Sequence, residues 1–179
     1  MSHLDSKFKH QKSFTLIELL VIIGIISLLS AIILPQYRTG ERQFALQRSA
    51  YKISQDIRRV QEMTMSAKEL PGAPPSFKGS YGINFQIINS TSYILFADLN
   101  DNKAFDSGSS PSEVIENLSL EKRVKITNLS PPSPLNITFS PPDPTTNINI
   151  SATSAIITIA NDSQTKTITI NKAGLIYVK

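Results

Sequence analysis

The sequence of 179 residues contains no cysteine and no tryptophan, and only 18% of it is charged. Without cysteine there is no disulfide framework, no thiol nucleophile and no thiolate metal site, so the fold must rest on packing and hydrogen bonding. The two histidines, His3 and His10, both precede a long apolar run, so the chain beyond it lacks the commonest general acid–base and zinc-binding side chain. Positive charge is thin as well. The net charge is +4, and residues 1–13 hold +2 of it through Lys7, Lys9 and Lys12 against Asp5. That balance does not read as a nucleic-acid binder. No nucleophile motif, Gly-rich phosphate loop or metalloprotease signature occurs, and no spacing singles out a carboxylate pair. An enzyme is not expected.

What the sequence does hold is one uninterrupted apolar run. Phe14 to Leu34 reads FTLIELLVIIGIISLLSAIIL, with Glu18 its sole charge. At ~1.5 Å per helical residue it spans a hydrocarbon core of roughly 30 Å. The basic residues before it stay cytoplasmic by the positive-inside rule, which sends the C-terminal part out. A cleaved secretory signal would have a shorter core and an A-x-A-like end, whereas this run ends Leu34-Pro35-Gln36. A plain signal anchor leaves Glu18 unexplained. A carboxylate inside a bilayer costs on the order of 3 kcal/mol on insertion scales, so it is normally there for a partner.

Lys12-Ser13-Phe14-Thr15-Leu16-Ile17-Glu18-Leu19-Leu20 resembles the class III leader of type IV prepilins and type II secretion pseudopilins. The resemblance implies a basic leader over residues 1–13, cut by a prepilin peptidase between Ser13 and Phe14. It implies N-methylation of Phe14 and pairing of Glu18 with the new amine of a neighbouring subunit. A buried carboxylate opposite a buried ammonium is tolerable, while either one alone is strongly penalised. The family usually has Gly, sometimes Ala, where Ser13 stands. Pro35, followed by Gln36 and Tyr37, matches many pilins. Two readings stand for it: a helix kink, since proline removes a helical N–H, or merely the end of the span.

After Gly40 a helical stripe appears: Leu46, Ala50, Ile53, Ile57, Val60 and Thr64. It predicts an amphipathic helix from about Arg42 to Lys68, continuing the spine over residues 35–70. Its other face carries Arg38, Arg42, Arg48, Lys52, Arg58 and Arg59. That face reads as a solvated surface with Arg38 and Arg42 near lipid headgroups, as a contact with an acidic neighbour, or as a DNA contact, which no aromatic interleaving supports. Leu70-Pro71-Gly72-Ala73-Pro74-Pro75 opens a linker over residues 71–79.

From Ser80 the period becomes two. Strands are expected over 81–88, 92–98, 114–120, 122–127, 135–140, 155–160, 166–170 and 175–178, an antiparallel domain over residues 80–179. The fold class is therefore α+β, a long N-terminal helix packed on an antiparallel sheet. Six of the eleven prolines fall in residues 131–144, giving an irregular loop around Leu135–Ser140. Short stretches such as Tyr81-Gly82-Ile83, Phe96-Ala97-Asp98-Leu99-Asn100 and Gly174-Leu175-Ile176-Tyr177-Val178 resemble the H-type pseudopilin and related minor pilins.

One cluster has ligand spacing. Asp98, Asn100, Asn102 and Asp106 occupy offsets one, three, five and nine of a calcium loop, so calcium is the one cofactor the spacing admits. Against it, Lys103 stands where such loops need Gly, and no Glu sits at offset twelve; Glu113 or Glu116 could substitute only if the loop folds back. A polar turn between strands is the competing reading. The family resemblance implies a non-enzymatic filament subunit in the inner membrane and then in a pilus or pseudopilus. Its implied partners are other pilin subunits, the prepilin peptidase, the inner-membrane assembly platform and membrane lipid. The alternative is a DNA- or ligand-binding minor pilin acting in uptake or adhesion, with Arg58, Arg59, Lys172 and Lys179 as its candidate DNA contacts.

Overall fold

The computed structural model describes residues 14–66, 68–142, 145–149, 151–162 and 164–179, with backbone alone at 35, 36, 38 and 39. Ser13, the residue before the expected cut, lies outside the described residues. The chain is α+β: the described residues form one helix, α1 (Leu16–Met65), then nine strands. It divides into two compact units between Gly40 and Glu41.

In the first unit, Leu16–Leu34 is long and apolar enough to cross a membrane. Its leucine, isoleucine and valine side chains are exposed along the whole stretch. Pro35 lies within α1.

In the second unit the six-residue stripe faces inward: Leu46, Ala50, Ile53, Ile57, Val60 and Thr64 are all buried. Thr64, the polar member, donates its hydroxyl to the Val60 carbonyl at 3.0 Å, so the helix backbone satisfies it. The strands are β1 (Tyr81–Phe85), β2 (Ser92–Ala97), β3 (Val114–Ser119), β4 (Lys125–Ser130), β5 (Leu135–Ser140), β6 (Thr145–Ile148), β7 (Ser154–Ala160), β8 (Thr165–Asn171) and β9 (Ile176–Val178). They form two antiparallel sheets, ordered β3-β2-β1-β5-β6 and β4-β7-β8-β9. The register aligns apolar rows across strands. Leu95, Ile83, Ile137 and Ile148 form one in the first sheet; Leu129, Ile157, Ile168 and Val178 form one in the second. These rows and the apolar members of the helix stripe make one hydrophobic cluster, with Val178 packed against it.

Three strand expectations change. The first strand ends at Phe85 instead of 88, and Ile87 and Ile88 are exposed. β4 begins at Lys125 rather than 122, because Glu121–Val124 is a turn closed by the Val124 N–H on the Glu121 carbonyl at 3.1 Å. β6 joins the proline-rich region to the first sheet as an extra edge strand.

Candidate assembly site

The start of α1 is built by its own side chains. The Glu18 N–H donates to Thr15 Oγ1 at 3.3 Å, and the Thr15 N–H donates to Glu18 Oε2 at 3.4 Å. This is a capping box, Thr15-x-x-Glu18, in which two otherwise unpaired backbone donors are satisfied reciprocally. The Thr15 hydroxyl also donates to Glu18 Oε2, at 3.4 Å. The carboxylate near the helix N-terminus is further favoured by the helix dipole. Sequence reasoning assigned Glu18 to an intermolecular partner and missed Thr15. The S/T-x-x-E pattern ahead of an apolar run was the available signal. Phe14 is 75% exposed, beside this box.

The basic helix face is partly used within the chain. Arg59 Nη1 meets Glu116 Oε2 on β3 at 2.8 Å, and Arg48 Nε meets Glu121 Oε1 at 3.4 Å. Lys52 Nζ donates to the Ser119 carbonyl at 2.9 Å. These side chains bind the helix to the edge of its own first sheet, a role the sequence reading did not weigh. On the same face of α1, Tyr93 donates its hydroxyl to Asp56 Oδ2 at 2.5 Å. Burial, then this carboxylate, pushes the Tyr93 phenol well above its ordinary value.

The structure does bring the Asp98 cluster together. Asp98 is fully buried, and its Oδ1 and Oδ2 accept the N–H groups of Asn102 (3.0 Å) and Lys103 (2.9 Å). Asn102 Oδ1 accepts the Ala104 N–H at 2.8 Å. Asn100 and Asn102 each turn an amide nitrogen to Asp106 Oδ2, both at 2.8 Å. The chain does fold back: buried Glu113 accepts the Leu99 N–H at 3.2 Å and the Asp106 N–H at 2.8 Å. Lys103 takes the left-handed backbone expected of Gly there, with φ 64°. Asp101 pairs with Lys78 at 2.7 Å and also with Lys103. Burial raises the carboxyl pKa of Asp98 and of Glu113, partly opposed by the backbone N–H bonds each accepts. Among the described residues, no three His, Cys, Asp or Glu side chains converge to hold a metal ion.

Residues 8–34 match the prokaryotic N-terminal methylation motif. Over 77 residues the chain is 31% identical to each of two proteins named fimbrial protein from Pseudomonas aeruginosa, covering 43% of this chain and 50% of each relative. The chain thus spans about half the length of the curated relatives it matches. No solved structure matches. The methylation motif takes in Thr15, Glu18 and the apolar stretch to Leu34, so over that segment the chain is similar to proteins carrying this motif, as it is to the two fimbrial proteins over 77 residues.

Proposed function

We propose that this chain is a filament subunit, a minor pilin or H-type-like pseudopilin of a type IV pilus or type II secretion pseudopilus, with no catalytic role. The observation that carries this reading is the methylation motif over residues 8–34, which takes in the helical stretch Leu16–Leu34 with its apolar side chains exposed. An apolar patch of that size needs a bilayer or other helices to cover it. In this reading a prepilin peptidase cuts between Ser13 and Phe14, Phe14 is methylated, and Glu18 accepts the amine of the neighbouring subunit. Other pilin subunits and an inner-membrane assembly platform are the partners. The test is intact mass of the protein from cells containing a prepilin peptidase. A chain beginning at methylated Phe14, with filament incorporation lost in Glu18→Gln, is expected. An uncut chain, or a variant that still assembles, would replace this reading with a static membrane anchor.

For the Asp98 loop the donors favour a structural turn over a calcium site. Both Asp98 oxygens and both Glu113 oxygens already accept backbone N–H groups, and Lys78 and Lys103 balance the charge through Asp101. Calcium is expected to leave the unfolding temperature unchanged. A calcium-dependent rise that Asp106→Asn abolishes would make Asp98, Asn100, Asn102 and Asp106 its ligands instead.

A further inference from the structure

The end of the globular unit nearest the apolar segment in sequence has a distinct charge. Arg42 stands eight residues beyond Leu34, so the chain between them can reach at most roughly 28 Å. Two turns of the sheet region are tied to this first part of the helix. The Asn161 side-chain amide donates to the Arg42 carbonyl at 2.8 Å, and Asp162 pairs with Arg42 at 3.6 Å. The Glu121 N–H donates to Ser49 Oγ at 3.2 Å, and its carboxylate meets Arg48. Lys125 lies directly across from Ala160 in the β4–β7 pair, one residue from Asn161. Two acids at this end, Glu121 and Asp162, are therefore engaged, and Glu41 adjoins Arg42 in sequence. Lys122, Arg123 and Lys125 are exposed and face no carboxylate among the described residues.

The backbone presents these cations deliberately. Arg123 is the third residue of the Glu121–Val124 turn and has φ 68°, a position that favours Gly or Asn. Buried Val124 anchors the turn from below, so the arginine is held at its tip. At the far end of the unit, by contrast, the loop after β2 gathers Asp98, Asp101, Asp106 and Glu113.

We propose that Lys122, Arg123 and Lys125, beside Arg42, form a face that docks on anionic phospholipid headgroups of the membrane holding the apolar segment. The inference rests on the anchor reading of Leu16–Leu34, and not on filament assembly. Juxtamembrane cations attract an anionic surface with an effect of about fivefold per residue, falling off within a Debye length.

The chain has no cysteine, so single labels are straightforward. Full-length protein labelled at Gln164→Cys, in the turn beside Lys125, is reconstituted into phosphatidylcholine vesicles with or without phosphatidylglycerol. Quenching by headgroup-labelled lipid reports docking, and a label at Ala173→Cys, at the opposite end of β8, is the reference. The anionic lipid is expected to raise quenching at 164 but not at 173. High salt and the variant Lys122→Gln with Arg123→Gln and Lys125→Gln should abolish the rise, lowering the docked-to-free ratio about fivefold per cation, with an unchanged unfolding temperature. Equal quenching in both vesicles overturns the proposal. So does protection that follows chain density instead of lipid charge, which would assign the face to a second copy. A chain that fails to float with neutral vesicles overturns the anchor reading itself.

Discussion

At Gly82, in the middle of β1, an added Cβ would stand 2.6 Å from Phe96 Cζ and 2.7 Å from Thr138 Cγ2. The neighbours are two flanking strands of the same sheet, and Phe96 in turn packs against Phe105 from the Asp98 loop, the rings tilted with centroids 5.5 Å apart. Gly82→Ala should therefore cost about 1–3 kcal/mol through overpacking, read from denaturant unfolding. An unchanged midpoint would mean that Phe96 swings aside freely. Glu113 gives a pH signature of its own. Its folded pKa is raised, so the native state binds more protons than the unfolded chain just above the ordinary carboxylate range. Its contribution is fully present below the unfolded pKa of ~4.3 and is lost as pH rises through the folded value. The stability advantage of the wild type over Glu113→Gln is thus expected to shrink as pH rises through that window. A constant difference across the titration would show that the carboxyl is not perturbed.

The helix tests periodicity most directly, because neighbouring residues on it point about 100° apart and can fall on either side of the burial boundary. Ile57 is fully buried and Arg58 is exposed. Ile57→Ala is expected to cost about 2–5 kcal/mol by cavity formation, and Arg58→Ala to stay within about 0.5 kcal/mol, both measured by equilibrium unfolding. Comparable losses would contradict the burial pattern. The ion pair of Arg59 with Glu116 contributes little, about 0–1 kcal/mol, since both side chains are well exposed. It sets where β3 lies along the helix more than how firmly. Most elements were legible because each carries its own period: the six-residue helix stripe, or the alternation of Leu135, Ile137 and Phe139. β6 was not. Its Thr-Thr-Asn-Ile sequence follows a run of prolines, and only pairing with β5 reveals it as a strand. The register of β4 was also hidden, because a bulge between Ile126 and Asn128 puts Ile126 and Leu129 three residues apart.

At the scale of the whole molecule, the division into two sheets is a matter of long-range pairing that local patterns do not encode. Nothing in the spacing of β3 and β4 says that the chain leaves one sheet for the other between them. The fold class itself was readable, since one amphipathic helix followed by alternating strands has few ways to bury its apolar faces. The N-terminal segment was legible because apolar length and one misplaced charge need no tertiary context. The Asp98 loop was half legible. Its oxygen spacing was visible, but the return of Glu113 and the turning of two asparagine amides toward Asp106 arise only from folding. The capping box bears on any encounter between chains. Glu18 engages its own helix through Oε2, so an approaching amine that took that oxygen would compete with a local contact typically worth about 1 kcal/mol. The start of α1 is thus closed on itself through Glu18 Oε2, a latch that a charged donor from another chain would have to share or displace.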